Sequence, residues 1–278
     1  MKKFIISCLI FLLIAIPAIT VLPVFLIATD AYKHSVAGNE IYHSIFKSKQ
    51  KNKAKKLIIG DSVGKQLFSN TTKNDNINSL TCNKGISMAG HFILLNNYLN
   101  AGNKVDTVYL IFTPFSFQNN LNDVFTYHYF LKPFYTDEYK PLFTKSVNEQ
   151  IQKIPYYEFC RFPNILTSNW APDFKTKDKT DYTFLSPISV EYLLKIKELS
   201  IKHNFKVIIL PTPTRQSRKA EIKGMARAEI TKNNLTSEFR NYFEDIIYLN
   251  DKDFIDDVHI KREKLEYFTE YYKDKFMK

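Results

Sequence analysis

Residues Phe4 to Ala28 form an unbroken apolar run whose only hydroxyl side chains are Ser7 and Thr20. A helix of that length rises further than the ~30 Å hydrocarbon core of a bilayer. Inside a water-soluble domain it would have to be covered on every side. The run is longer than the apolar core of a secretory leader, and no small-residue cleavage pattern follows it. We therefore expect an uncleaved anchor over residues 1–30, kinked at Pro17 and Pro23, and a folded part after it. Lys2 and Lys3 place the N-terminus inside the cell. The expected location is a single pass through the cytoplasmic membrane with the globular part extracytoplasmic, in the periplasm or at the cell surface.

The remainder of the 278-residue chain suits one α/β domain with an insert. Residues 31–56 read as a linker with one short helix, ending in six lysines between Lys47 and Lys56. The expected role of that run is a solvated connection. Net charge is +11, carried by 33 Lys and only 6 Arg. Base readout and phosphate clamping favour the guanidinium fork, so a dispersed lysine excess argues against nucleic acid and for a soluble surface or attraction to an anionic membrane or polymer. The cysteines, Cys8, Cys82 and Cys160, have no spacing that suggests a metal, and no cofactor is expected. Cys82 and Cys160 are open to pairing in an oxidising compartment or to remaining free and buried.

Residues 57–278 alternate strand and helix signals. Leu57–Ile59 is a short apolar strand running into Gly60-Asp61-Ser62, and Ser79–Cys82 gives a second. Met88–Ala101 has helical spacing, followed by strand Val105–Phe112, stopped by Thr113-Pro114. Ser186-Pro187 opens a helix to His203, with Ser as N-cap and Pro at the first helical position. Strand four lies within Asn204–Leu210. Further helices are expected at Arg218–Ile230 and Ser237–Phe243, a fifth strand at Ile246–Leu249, and a final helix at Glu263–Lys275. This order implies a parallel sheet covered on both faces, with functional residues beyond the strand C-termini. The insert, 115–185, has no clear period. It holds Phe125, Tyr127, Tyr129, Phe130, Phe134, Tyr135 and Trp170, which form either a lid able to stack on sugars or short helices packed by aromatics.

That topology brings distant residues to one edge. Ser62 follows strand one directly, and His259 follows the last strand with Asp256 three residues before it. A nucleophilic serine needs exposure, a base in reach and a third group orienting that base. Ser62 as nucleophile, His259 as base and Asp256 as orienter meet the requirement, with Asp257 a rival orienter. His91 lies on the helix after the second strand and is expected to be structural. Arg215 and Arg218 follow strand four on the same edge, where they either contact an anionic acceptor or cap a loop.

Ile59-Gly60-Asp61-Ser62 resembles the first sequence block of the SGNH/GDSL hydrolase superfamily, and Asp256-Asp257-Val258-His259 resembles its last, D-x-x-H. Asn83-Lys84-Gly85-Ile86-Ser87 is similar to the second block. The resemblance spans Leu57 to the C-terminus and implies a flavodoxin-like three-layer α/β/α domain. It also implies an oxyanion-hole role for Gly85. Two positions depart from the pattern: Met88 stands where the family has glycine, and the third block, G-x-N-D, is replaced by Thr113-Pro114-Phe115-Ser116. Gly85 or Gly90 would then substitute for that glycine, and Ser116, Thr113 or a backbone N–H would stand in for the missing Asn donor. The layout resembles membrane-anchored SGNH-like proteins that work beside membrane-bound O-acyltransferases. The implied activity is transfer or removal of an acyl group, most simply acetyl, on a cell-surface glycan. The partners would be that glycan or a small acyl ester, and a membrane O-acyltransferase. The alternatives are a plain acyl-ester hydrolase and a catalytically silent scaffold.

Overall fold

Phe4–Ala28 is helical throughout in the computed structural model, which describes residues 1–28, 39–71, 76–123, 125–161 and 184–277. The helix, α1 (Lys2–Ala28), continues through Pro17 and Pro23. Its side chains from Phe4 to Phe25 include many large, exposed hydrophobics. It is long and apolar enough to cross a membrane. Helix α2 (Asn39–Ser48) then leads to β1 (Lys56–Gly60), α3 (Ser62–Leu67), β2 (Ile77–Ser79), α4 (Ser87–Asn100) and β3 (Thr107–Phe112). The insert contributes α5 (Lys132–Phe134) and α6 (Lys145–Gln152). Helix α7 (Pro187–His203), β4 (Lys206–Pro211), β5 (Thr214–Arg215), α8 (Lys219–Lys223), α9 (Ala228–Lys232), β6 (Tyr248–Leu249) and α10 (Arg262–Met277) complete the chain.

The protein is α/β with a parallel sheet in the order β2-β1-β3-β4. Strand alternation divides its side chains between two cores. Leu57, Ile59, Val108, Leu110 and Ile209 face a large core with α4 and α7, whereas Ile58, Tyr109 and Leu210 face a smaller one with α3 and α10. Both faces are covered, which is why β1 and β3 read as continuous apolar runs. Gly60 ends β1 because a Cβ there would sit 2.6 Å from the carbonyl oxygen of Ile111. Ser186 caps α7 by accepting a hydrogen bond from Ser189 N–H, and Asn204 closes the helix in the left-handed conformation.

Five expectations change. The second strand is assigned earlier, at Ile77–Ser79, although Leu80 and Cys82 still donate to β1 at Ile58 and Gly60. Arg218–Ile230 is two short helices separated around Gly224, and Ser237–Phe243 is a series of turns in which Asn241 takes φ 60°. The fifth strand pairs with Thr214–Arg215 instead of β4. Pro211 and Pro213 have no N–H to donate, and the Ile209 N–H is already taken by Glu238 O. Lys47 is not solvated: its ammonium donates to Asn70 O (2.7 Å) and Ser79 O (2.9 Å), and burial lowers its pKa to about 8. Cys82 and Cys160 are both buried and form no disulfide with each other, and burial pushes the Cys82 thiol up to about 12.

In the insert, Tyr127, Phe130 and Phe134 are buried and Phe130 packs against Phe134 and Phe143. These rings fill a core and leave Phe125, 49% exposed, and Tyr129 nearer the surface. Trp170 and residues 162–183 lie outside the described residues.

Candidate active site

Strand β1 delivers Ser62 to the C-terminal edge of the sheet as the first residue of α3. The residue before it, Asp61, is 1% exposed and takes no part in the surface. One carboxylate oxygen accepts from the N–H groups of Val63 (2.9 Å) and Gly64 (3.0 Å). The other accepts from Thr113 N–H (2.9 Å) and Ser116 Oγ–H (2.6 Å). A single buried carboxylate thus caps α3 and binds the loop after β1 to the loop after β3. Asp61 is in this way the positioner of Ser62. The Ser62 side chain is half-buried, and its N–H lies outside the Asp61 cap.

The other half of the site is a closed loop. Phe254 and Ile260 form an antiparallel bridge, Ile255 N–H donates to His259 O at 2.8 Å, and Lys261 N–H donates to Asp253 O at 2.9 Å. Inside the loop, Asp256 accepts from the N–H groups of Val258 (2.9 Å) and His259 (2.8 Å). Its second oxygen lies 2.7 Å from His259 Nδ1. Partial burial would raise the Asp256 carboxyl, but those two backbone hydrogen bonds and the imidazole outweigh it and hold it at about 2. The carboxylate therefore fixes Nδ1 as a donor, which leaves Nε2 with the lone pair a general base needs.

The two halves are joined by Gln66, one helical turn beyond Ser62. Its side-chain amide donates to Ile260 O (3.3 Å) and accepts from Ile260 N–H (3.1 Å). Ile260 follows His259, and residues four apart lie on one face of a helix. Val63, Leu67, Phe254, Ile260 and Phe268 pack in one apolar cluster beneath this contact. Ser62 Oγ and His259 Nε2 are not hydrogen-bonded to each other. Catalytic hydrogen bonds are commonly long without substrate and tighten when it binds.

The remaining candidates have other tasks. Asp257 does not orient His259; it pairs with Arg215 Nη1 at 2.9 Å and approaches Arg218 at 3.8 Å. Arg215 also lies 3.6 Å from Asp251, so its charge is matched within the protein, which favours the loop-holding role over an anionic acceptor. Ser116 gives its one proton to Asp61 and so accepts from the Thr113 hydroxyl. Gly85 N–H donates to Asn83 Oδ1 at 2.8 Å, and Tyr129 packs over Gly85, where a Cβ would come within 2.9 Å of the ring. Neither group has a hydrogen free for an oxyanion. His91 is 1% exposed and sits 4.7 Å from the Phe112 ring, inside the core.

A shallow recess of about 10 Å³, room for a single water molecule, lies between Thr113, Phe115, Arg215, Phe254 and Asp257, beside the Asp256–His259 loop. A larger concavity, about 640 Å³, lies between Lys51, Asn52 and the end of α4, at the opposite edge of the sheet and away from every candidate residue. Shape alone would select that second cavity, whereas Arg215 and Asp257 line the first. Sequence reading missed Gln66, whose signal was its position four residues after Ser62, and the structural role of Asp61. Among the described residues no cluster of three or more His, Cys, Asp or Glu side chains offers a metal site. No family model matches the chain, and no curated protein or solved structure proved similar to it.

Proposed function

We propose that the chain is a membrane-anchored acyl-transfer enzyme with an SGNH-type catalytic centre, acting on acyl, most simply acetyl, groups of a cell-surface glycan. The observation that carries the proposal is the 2.7 Å Asp256–His259 contact, locked through Gln66 to the helix that begins at Ser62. His259 Nε2 takes the Ser62 proton as Oγ attacks the acyl carbonyl. It then returns the proton to the leaving oxygen. The acyl-Ser62 ester passes its group to a sugar hydroxyl, which His259 deprotonates in turn. Asp256 stays ionised and stabilises the imidazolium. With Gly85 and Ser116 committed elsewhere, the Ser62 N–H is the donor that faces the developing oxyanion. The fold expected under this reading is the flavodoxin-like α/β/α one, the folded part is extracytoplasmic, and a membrane O-acyltransferase is the partner that supplies acyl groups.

One feature favours a second reading. An oxyanion hole short of one donor loses ~10²–10³ in rate, so a silent scaffold for a membrane acyltransferase is the alternative to an enzyme. A fluorophosphonate probe separates them. Covalent labelling that Ser62→Ala abolishes supports the enzyme; no labelling of the folded wild type supports the scaffold. A chromogenic acetyl ester assayed with and without added glycan then divides transferase from plain hydrolase, since a hydrolase turns over without the acceptor.

A further inference from the structure

The lysine run between α2 and β1 is pinned to the end of α4. Asn103, 6% exposed, spends both amide hydrogens on Gln50 O and Tyr98 O, each at 2.9 Å. Its Oδ1 accepts from Asn52 N–H at 2.6 Å, and Asn52 Oδ1 accepts from Ala54 N–H at 2.7 Å. One buried side chain thus fixes residues 50–54 as a wall instead of a free connection. Asn100 and Gly102, at and just after the end of α4, complete the lining of the concavity of about 640 Å³. That volume lies within the ~300–1,000 Å³ range of sites that take small molecules.

The lysines of the run divide by what surrounds them. Lys47 donates to Asn70 O and Ser79 O, and Lys49 pairs with Glu138 at 2.6 Å. Lys51 and Lys53 line the concavity, are exposed, and have no ion-pair or hydrogen-bond partner among the described residues. No Asp or Glu lines it. The last carbonyls of α4 bring about half an elementary charge of opposite sign, against the two ammoniums. A net positive field is left, and concave walls of one sign concentrate it. Beside the ammoniums, the Asn52 amide hydrogens and the Asn100 side chain are also without a partner among the described residues.

The lining also limits what the anion is. No aromatic ring lines the concavity to stack a nucleobase, and no large apolar side chain lines it to anchor a peptide. Phe46 and Ile201 are exposed but are not among its lining residues. A lipid surface is flat on this scale and does not enter a concavity. A sugar chain bearing carboxylate or phosphate groups meets both features, with its charges on the ammoniums and its hydroxyls on the amides. We propose that the concavity between residues 51–53 and the end of α4 is a binding site for an anionic polysaccharide. It lies at the opposite edge of the sheet from Ser62, and its occupancy requires no catalysis.

The full chain in a neutral polyoxyethylene detergent is titrated with fluorescent oligogalacturonate, which carries carboxylates, and with fluorescent phosphorylated dextran. Polarisation is read at about 0.15 M salt, where distant charges are screened. Binding of at least one probe is expected, and the tighter one identifies the anion. Lys51→Gln with Lys53→Gln should weaken it about fivefold or more, through loss of two exposed ion pairs. Lys223→Gln with Lys264→Gln removes the same charge elsewhere and should change it by less than about twofold. All four lysines are exposed, so the variants keep the fold. Asn100→Asp, which places a carboxylate in the concavity and spares both lysines, should weaken binding as well. No binding of either probe, unchanged affinity in the Lys51, Lys53 variant, or equal losses in the two double variants overturns the proposal. Displacement of the probe by neutral dextran, or by poly-glutamate or short-chain phosphatidylglycerol as readily as by the unlabelled glycan, overturns the assignment to an anionic sugar chain.

Discussion

Gln66 holds Ile260 by both its backbone groups, donating to the carbonyl at 3.3 Å and accepting from the N–H at 3.1 Å. These bonds cross 194 residues and connect the helix begun by Ser62 to the residue after His259. Under the proposed mechanism, the distance over which Ser62 would pass its proton to His259 depends on how firmly these two segments are docked. Gln66→Ala is expected to cost about 1–3 kcal/mol, since it strands two part-buried backbone groups. It should also slow fluorophosphonate labelling of Ser62 by at least about tenfold, because small misplacements of reacting groups are amplified in rate. Chemical denaturation and labelling kinetics measure the two effects. Loss of stability with unchanged labelling per folded molecule would show that the amide serves the fold alone.

The shared carboxylate of Asp61 predicts a contrast between neighbours. Asp61→Ala leaves the N–H groups of Val63, Gly64 and Thr113 without their acceptor and should destabilise the protein by about 3 kcal/mol or more. Ser116→Ala removes one hydrogen bond to that carboxylate, a loss of about 1.5–3 kcal/mol. If Ser116 serves Asp61, as its 2.6 Å contact indicates, labelling of Ser62 in the Ser116→Ala protein stays within a few-fold of wild type. A loss of ~10²–10³ would restore Ser116 to the oxyanion hole.

Adjacent aspartates are expected to differ sharply. Asp256→Asn removes the acceptor that fixes the imidazole tautomer, and ester turnover should fall by roughly 10³–10⁴. Asp257→Asn releases Arg215 and Arg218 at a partly exposed site and should change turnover far less. Steady-state kinetics on both variants decide the assignment; equal losses would mean that Asp257 acts on the dyad through the loop.

His91 carries a pH signature. Burial lowers its pKa from 6.5 to about 3, and neither ring nitrogen has a partner. The folded state therefore keeps the imidazole neutral where the unfolded chain would protonate it. Stability from this group is whole above pH 6.5 and declines as pH falls toward about 3, with a slope approaching ~1.4 kcal/mol per pH unit. His91→Leu should flatten the difference in unfolding free energy between pH 7 and pH 5. An unchanged slope would show that other groups carry the acid sensitivity.

The membrane-length apolar run, the strand-to-turn signal at Ile59–Ser62 and the Asp256–His259 spacing were all legible in the chain, because each depends on residues close in sequence. Covalent geometry and local hydrogen bonding suffice to put Asp256 Oδ2 against His259 Nδ1. Which aspartate does so was already favoured by the i to i+3 spacing. The functions of Gln66, Ser116, Gly85 and Arg215 were not legible. Each depends on a partner at Ile260, Asp61, Asn83 or Asp257, and for most of them that partner lies dozens to hundreds of residues away. Spacing carries no information about such pairs. The same holds for the fifth strand, whose pairing partner was settled by two prolines and by Glu238 arriving from another segment. Residue type and period determined which segments are strands, helices and membrane-length apolar runs. Only the packed sheet decided which hydrogen-bonding groups are already occupied, because each donor proton can be given once and the structure has to satisfy buried groups first.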